Sequence, residues 1–393
     1  MGGMTVIDGE VAAGFEPVRE AFAVNFARHG EIGAAVGVYW RGRPVVDLWG
    51  GVADSGTGRP WTRNTLQLVY SATKGATATA VHLLAQRGVL NLDAPVAEYW
   101  PEFAAEGKAQ IPVRWLLSHQ AGLVALDRPV PLAEALAWQP MVNALAAQRP
   151  MWTPGTAHGY HGRTFGWLVG EVIRRVSGRT PGRFFADEIA APLGLDFFIG
   201  LPAREQGRVS RMVYQQPEVD FTAAPRESIP EELRELVASW SDPDSLNNRA
   251  FSVTDPAGID FNSPQVQAAE MPASNGIGTA RGLARMYAAL IGEVDGVRLF
   301  TQDTLTSATK KQAEGKDRVL LVPSRFSSGY MLPTETTPMT GPDSFGHTGR
   351  GGSLAFADPE RGIAFCYVTN HIIGGPDDMR ARALADAVRR SSV

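Results

Sequence analysis

Strand-like segments lie at both ends of the chain, and helical segments fill the stretch between them. Near the start, residues 32–39 and 44–50 are apolar runs joined by a Gly-containing turn, which is the pattern of a β-hairpin. Near the end, residues 351–357 and 362–369 are again strand-like. This distribution predicts an α+β fold in which one antiparallel sheet is built from the two chain ends and flanked by helices.

The middle of the chain is predicted to be a mostly helical inserted domain. We expect residues 1–92 and 321–393 to form the domain with the sheet, and residues 93–320 to form the insertion. Residues 203–270 and 317–345 are irregular in pattern and are expected to cover a site and shape its pocket. Apolar periodicity predicts helices within 10–29, 76–89, 113–118, 131–147, 164–176, 182–192, 280–292 and 376–390.

Composition and charge exclude several classes of function. The 393 residues contain 37 Lys and Arg against 41 Asp and Glu, a net charge of −4, so no positive surplus is available for nucleic acid. No apolar run reaches the roughly twenty residues of a membrane span, and no basic and apolar leader is visible, which predicts a cytoplasmic protein. The single Cys366 lies in the apolar run 362–368 and is expected to be a buried structural thiol. The pattern leaves the oligomeric state undetermined.

The strongest chemical signal is Ser71-x-x-Lys74, between the strand-like run 66–70 and the predicted helix 76–89. Three residues apart on a helix, the two side chains lie on one face, so the amine can reach the hydroxyl. A serine hydroxyl needs such a base to become a nucleophile at neutral pH. The same tetrapeptide recurs at residues 307–310, but a charged stretch follows it, which predicts a solvated surface.

Two further segments carry polar groups suited to a site. Tyr160 follows a Pro-Gly turn and precedes an apolar helical run, so its hydroxyl is a candidate for a cavity between domains. Gly346-His-Thr-Gly-Arg-Gly-Gly352 precedes a strand, and such glycines leave backbone N–H groups free for an oxyanion. There is no Gly-x-Ser-x-Gly, Walker A or HExxH sequence. Three histidines without a carboxylate pattern (His119, His158 and His161) are interpreted as structural, so neither a metal nor a cofactor is expected.

Ser71-x-x-Lys74, Tyr160 and His347-Thr-Gly349, in this order and with these separations, resemble the three motifs of class C serine β-lactamases, DD-peptidases and family VIII carboxylesterases. Segments 93–103, 115–123, 165–173 and 278–285 are also similar to family segments, so the resemblance extends over nearly the whole chain. It implies a β-lactamase/transpeptidase-like fold.

The resemblance also implies roles for individual residues. Ser71 would be the nucleophile that carries a covalent acyl group, and Lys74 and Tyr160 would share the general base and acid steps, with the first proton acceptor left open. The backbone N–H groups of Ser71 and Arg350 would form the oxyanion hole. Substrate contacts would come from His161, His347, Thr348, Gly349 and Gly351.

Two departures from the family pattern favour its esterase branch. Gly162 replaces the asparagine of Tyr-x-Asn, and His347 replaces the lysine that would meet a β-lactam carboxylate. Neutral, short-chain acyl esters are therefore the predicted substrates, and segment 45–51 also resembles the esterases. The alternatives are an acyltransferase, a weak β-lactam or amide hydrolase using the same site, or a non-catalytic binding protein with the same fold.

Overall fold

The computed structural model describes residues 5–215, 231–337, 339–373 and 378–391. Its main sheet is antiparallel throughout, in the order β1-β3-β2-β7-β6-β5, with β4 paired to β3. The strands are β1 (Ile7–Val11), β2 (Gly33–Trp40), β3 (Arg43–Asp54), β4 (Arg59–Pro60), β5 (Phe345–Thr348), β6 (Leu354–Asp358) and β7 (Ile363–Thr369). The pairing of β2 with β7 confirms that the two chain ends build one sheet.

Eight longer helices are labelled in chain order. They are α1 (Glu16–Arg28), α2 (Thr73–Gln86), α3 (Gln139–Ala147), α4 (Thr164–Ser177), α5 (Glu231–Ser241), α6 (Ala280–Ile291), α7 (Gln302–Thr309) and α8 (Arg380–Arg390). Shorter helical segments are Tyr70–Ala72, Val96–Tyr99, Pro101–Ala104, Val113–Leu117, Leu132–Leu136, Pro181–Phe185, Ala186–Ala190, Ala191–Leu193, Ala203–Arg208, Leu246–Phe251 and Pro264–Ala268.

Small sheets connect the loops outside the main sheet. Gln67–Leu68 and Phe197–Phe198 flank Ile277–Gly278 in a three-stranded sheet. The remaining strands form two-stranded pairs: Ala313–Lys316 with Pro323–Phe326, His371–Ile372 with Val213–Tyr214, and Val130–Pro131 with Thr254–Asp255.

The side chains of β2 alternate between two hydrophobic layers. Val36 and Val38 face the layer that α1 and α8 cover. On the opposite face, α6 approaches so closely that a Cβ on Gly37 would lie 2.9 Å from the Cα atom of Arg281. Cys366 in β7 is buried, as predicted, and burial raises the pKa of its thiol. Both faces of the sheet are thus covered by helices.

The predicted hairpin and most predicted helices are confirmed, with adjusted bounds. Arg41 and Gly42 take φ values of 48° and 77°, the two-residue turn that matches the twist of a hairpin. The predicted helix 131–147 is wrong as one element, because Trp138, with φ at 74°, separates Leu132–Leu136 from α3.

Several other expectations are corrected. Strands β1 and β5 were not predicted, since both are short and contain glycine, which weakens a strand pattern. The run 66–70 forms only the two-residue strand in the small sheet. The stretch 203–270 is less irregular than expected because it contains α5 and shorter helices. Residues 216–230 of that stretch lie outside the described residues.

The proposed division into domains stays a prediction. The helix α6 belongs to the predicted insertion 93–320, yet it packs on β2, β6 and β7 of the main sheet. Among the described helices, none has the length and apolar character needed to cross a bilayer.

Candidate active site

Ser71 lies in the short helical turn that leads into α2. Tyr70 before it has φ at 47°, an uncommon value for a residue with a side chain. The hydroxyl of Thr73 donates to the carbonyl oxygen of Tyr70 and accepts the N–H of Gly276 at 2.8 Å. Residues 73–84 of α2 are all buried. The turn that carries Ser71 is therefore fixed to the surrounding loops and to a helix in the protein interior.

Lys74 places its amine next to the serine hydroxyl. Its Nζ atom lies 3.1 Å from Ser71 Oγ, 2.9 Å from the carbonyl oxygen of Gly162 and 3.0 Å from that of Ala273. Burial, and then the charge of Arg163, lower the pKa of Lys74 well below its ordinary value. A neutral amine has two N–H groups and one lone pair. The two carbonyl oxygens accept the N–H groups, so the lone pair is left facing the hydroxyl.

Tyr160 completes the cluster. Its hydroxyl interacts with that of Ser71, and its ring centroid is 4.8 Å from the Nζ atom of Lys74. The ring stacks on Phe326 with an interplanar angle of 12°. Burial raises the pKa of the phenol, and the interaction with Ser71 opposes this only in part. The three residues that the sequence predicted as catalytic are thus brought together, with the phenol in its neutral form.

Asp317 positions this tyrosine, and sequence reasoning missed it. The buried carboxylate accepts the backbone N–H of Tyr160 at 3.0 Å through Oδ1. The same oxygen accepts the N–H groups of Val319 and Leu320, and Oδ2 accepts the hydroxyl of Ser324 at 3.1 Å. These bonds join the Tyr160 loop to the loop before Pro323–Phe326. No local sequence pattern indicates this contact, because 157 residues separate Asp317 from Tyr160.

The predicted oxyanion hole lies where β5 ends against the Ser71 turn. A Cβ on Gly349 would lie 2.1 Å from the carbonyl oxygen of Val69, so only glycine permits this approach. Within the described chain, no acceptor is found for the backbone N–H groups of Ser71 and Arg350. Arg380 fixes Gly351, the residue after Arg350, by donating a 3.0 Å hydrogen bond to its carbonyl oxygen.

The predicted substrate-contact residues near β5 have different surroundings. His347 is buried, its Nδ1–H donates to the carbonyl oxygen of Thr348 at 2.7 Å, and its ring centroid is 6.0 Å from that of Tyr160. Burial lowers the pKa of His347 to about 3, so the imidazole is neutral. The hydroxyl of Thr348 contacts Met331 Sδ at 3.4 Å, and Gly351 is only half-buried.

His161, which was also predicted to contact substrate, has both ring nitrogens occupied within the protein. Its ring is fully buried, Nδ1–H donates to the carbonyl oxygen of Gly159, and Nε2 accepts the N–H of Leu123 at 3.1 Å. His119 accepts the backbone N–H of His161. His158 is hydrogen-bonded to Ser324. These histidines position loops around Tyr160, and no cluster suited to a metal ion was found within the described parts of the chain.

The second Ser-x-x-Lys sequence lies elsewhere in the fold. Ser307 and Lys310 are exposed at the end of α7, as the sequence predicted. Arg163, by contrast, was not predicted as a site residue, although it lowers the pKa of Lys74. The signal that could have identified Arg163 is its position as a charged residue directly before the buried helical run 164–173.

The chain is similar to known proteins of one family along nearly its whole length. A family model described as Beta-lactamase matches residues 18–389. Esterase/beta-lactamase LipL of Mycobacterium tuberculosis (strain ATCC 25618 / H37Rv) is 39% identical over 364 residues, covering 91% of this chain and 82% of the relative. Among solved structures, a family VIII carboxylesterase is 37% identical with a TM-score of 0.86, covering 98% of this chain and 100% of that one. EstA from Arthrobacter nitroguajacolicus Rue61a is 34% identical with a TM-score of 0.84 over 97% of each chain. The predicted fold is confirmed.

Proposed function

The chain belongs to the Beta-lactamase family, and we propose that within it this protein is a serine carboxylesterase that cleaves short-chain acyl esters through a covalent intermediate on Ser71. One observation carries the proposal. The amine of Lys74 lies 3.1 Å from Ser71 Oγ while both of its N–H groups have carbonyl acceptors, Gly162 and Ala273. A buried amine so placed is a base aimed at a hydroxyl.

Acylation begins when Ser71 Oγ attacks the ester carbonyl carbon and its proton passes to Nζ of Lys74. Lys74 takes this first proton because burial keeps its amine neutral, whereas burial keeps the phenol of Tyr160 protonated. The carbonyl oxygen becomes an oxyanion, which the N–H groups of Ser71 and Arg350 stabilise.

Collapse of the tetrahedral intermediate then breaks the bond to the leaving alcohol. The leaving oxygen needs a proton, and the hydroxyl of Tyr160 donates it while the ammonium of Lys74 returns a proton to the phenol. In deacylation, water attacks the acyl-Ser71 carbonyl and the proton transfers run in reverse. The proton of water passes to Tyr160 while the phenol proton passes to Lys74, and Lys74 then returns a proton to Ser71 Oγ as the acid leaves. Each group ends the cycle in its starting protonation state.

Esters are favoured over β-lactams by the residue at the start of the His-Thr-Gly motif. His347 is buried and neutral, so this position offers no cation to a lactam carboxylate. Among the residues that the structure describes, no specific contact favours an alcohol over water as the acceptor, so hydrolysis is the proposed outcome. The cytoplasmic location stays a prediction.

The test compares two serines that occur in the same tetrapeptide. Ser71→Ala is expected to lower kcat/KM for p-nitrophenyl butyrate by at least about 10⁴-fold, because the nucleophile is lost. Ser307→Ala is the matched control and is expected to leave it unchanged, since Ser307 is exposed on α7. Mass spectrometry of the quenched protein should find the acyl group on the peptide that contains residue 71. Full activity of Ser71→Ala would contradict the proposal.

A further inference from the structure

Arg163 lies beside the proposed base without an acidic partner among the described residues. It follows Gly162, whose carbonyl oxygen accepts a hydrogen bond from Lys74. Its guanidinium packs over the ring of Phe261, 5.7 Å from the ring centroid. Its Nη1 atom is buried and has no hydrogen-bond partner. The side chain thus holds a charge and N–H donors that the described chain does not use.

The fully buried Arg380 shows what is missing at Arg163, which is partly buried. Arg380 has no exposed side-chain surface, and it is paired with Glu31 at 3.1 Å and with Asp378 at 2.7 Å. Burying a charge is costly, so proteins normally give it an opposite charge in this way. Among the described residues, Arg163 departs from that rule next to a reactive serine, where a charge without an acidic partner indicates a bound anion.

A second cation lies near Arg163. Burial, and then the charge of Arg350, lower the pKa of Arg163 to about 10. Both arginines also act electrostatically on Tyr70, the residue directly before the nucleophile. The ring of Tyr70 contacts Phe261 edge-on, with the centroids 5.0 Å apart. The positive charges of Arg163 and Arg350 repel each other, and an anion bound between them would offset that repulsion.

We propose that the ester cleaved at Ser71 carries a carboxylate, which binds between Arg163 and Arg350 beside the aromatic rings of Tyr70 and Phe261. This inference rests on the esterase function proposed above. It revises the expectation of neutral substrates, because the cation missing at His347 is supplied from another part of the chain. Guanidinium groups suit this role, since their planar N–H donors match the two oxygens of a carboxylate.

The experiment uses pairs of esters that differ only in charge. The first pair is the p-nitrophenyl monoester of adipic acid and its primary amide, which carry the test group on the acyl half. The second pair is 4-(carboxymethyl)phenyl acetate and its primary amide, which carry it on the alcohol half. We expect kcat/KM for the acid to exceed that for the amide at least about tenfold in one pair, as charge-assisted hydrogen bonds allow. The preferred pair identifies the half that carries the carboxylate.

Variants connect the preference to the named side chain. Arg163→Gln is expected to abolish the preference for the acid, and Arg163→Lys to keep part of it, because lysine retains the charge without the planar fork. Arg389→Gln removes a cation from the exposed end of α8 and should leave the preference unchanged. If Arg163→Gln does not fold, the wild-type preference still decides, and it should weaken as salt is raised.

The outcomes separate this inference from the esterase proposal. Equal rates for acid and amide in both pairs, with hydrolysis that depends on Ser71, would overturn the inference alone. The same holds if Arg163→Gln keeps the full preference. If no ester is cleaved, the esterase proposal fails. The carboxylate site can still be tested by calorimetry, which compares how tightly the acid and the amide of each pair bind to Ser71→Ala. Equal affinities there would overturn it.

Discussion

Acid should destabilise this protein through histidines that the fold keeps neutral, and His82 allows the effect to be measured. His82 is buried in α2, and its Nε2–H donates to the carbonyl oxygen of Ser328 at 2.7 Å. Burial lowers the pKa of His82 to about 4. In the unfolded chain the pKa returns to about 6.5. The stability that neutral His82 contributes is therefore complete above pH 6.5 and is lost as the pH falls toward 4.

The size of the effect follows from proton binding. At pH 5.5, unfolding lets His82 take up nearly one proton, so the free energy of unfolding falls by about 1.2 kcal/mol per pH unit. Burial also lowers the pKa values of His119, His161 and His347. The four histidines together give a slope of about 5 kcal/mol per pH unit, against a total stability of roughly 5–15 kcal/mol. We expect acid unfolding between about pH 4 and 6.

Urea unfolding followed by tryptophan fluorescence at several values between pH 5 and 7 measures this slope. His82→Gln keeps an N–H donor for Ser328 and removes the titrating group, so its slope should be smaller by about 1.2 kcal/mol per pH unit near pH 5.5. Phe300→Leu, which disturbs the ring packed edge-on against His82, should lower stability without changing the slope. Equal slopes for His82→Gln and wild type would refute the reasoning.

Three further predictions concern the site. Gly349→Ala should lower kcat for p-nitrophenyl butyrate at least about 10²-fold, because its Cβ would collide with the carbonyl oxygen of Val69 and displace the Arg350 N–H; near-normal kcat would contradict this. Lys74→Met should lower kcat about 10⁴-fold, while circular dichroism shows whether the protein still folds. Arg380→Lys should lower kcat about tenfold with little change in KM, because it weakens the hydrogen bond that positions Gly351 next to Arg350. A change in KM alone would argue against a positioning role for Arg380.

The sequence predicted the parts of the site that are encoded locally. Ser71 and Lys74 are one helical turn apart, and a periodic pattern marks that helix, so their meeting could be expected from spacing alone. Its own segment made Tyr160 a candidate for a cavity between domains, but its role beside Ser71 came only from the resemblance, because nothing in that segment shows which loop it approaches. His161 illustrates the limit. Its identity next to Tyr160 suggested a substrate contact, whereas its two ring nitrogens are occupied by Gly159 and Leu123.

The features that were missed depend on contacts between distant segments. Asp317 acts on Tyr160 only because two loops meet, and Arg380 reaches Gly351 from the first residue of α8. Arg163 is unusual for lacking an acidic partner among the described residues, a property that no pattern in one sequence reveals. The strand β5 was missed for a related reason, since its short length becomes sufficient only when β6 is available to pair with it.

The order of strands in the main sheet has a consequence for synthesis on the ribosome. The edge of β2 pairs with β7, and more than 300 residues separate Trp40 from Ile363. At translation rates of about 5 to 20 residues per second, the hairpin of β2 and β3 waits about 15 to 60 s for its neighbour. During that time its backbone groups offer an open edge to other nascent chains. Yield in a cell should therefore depend on chaperone supply and improve when translation is faster.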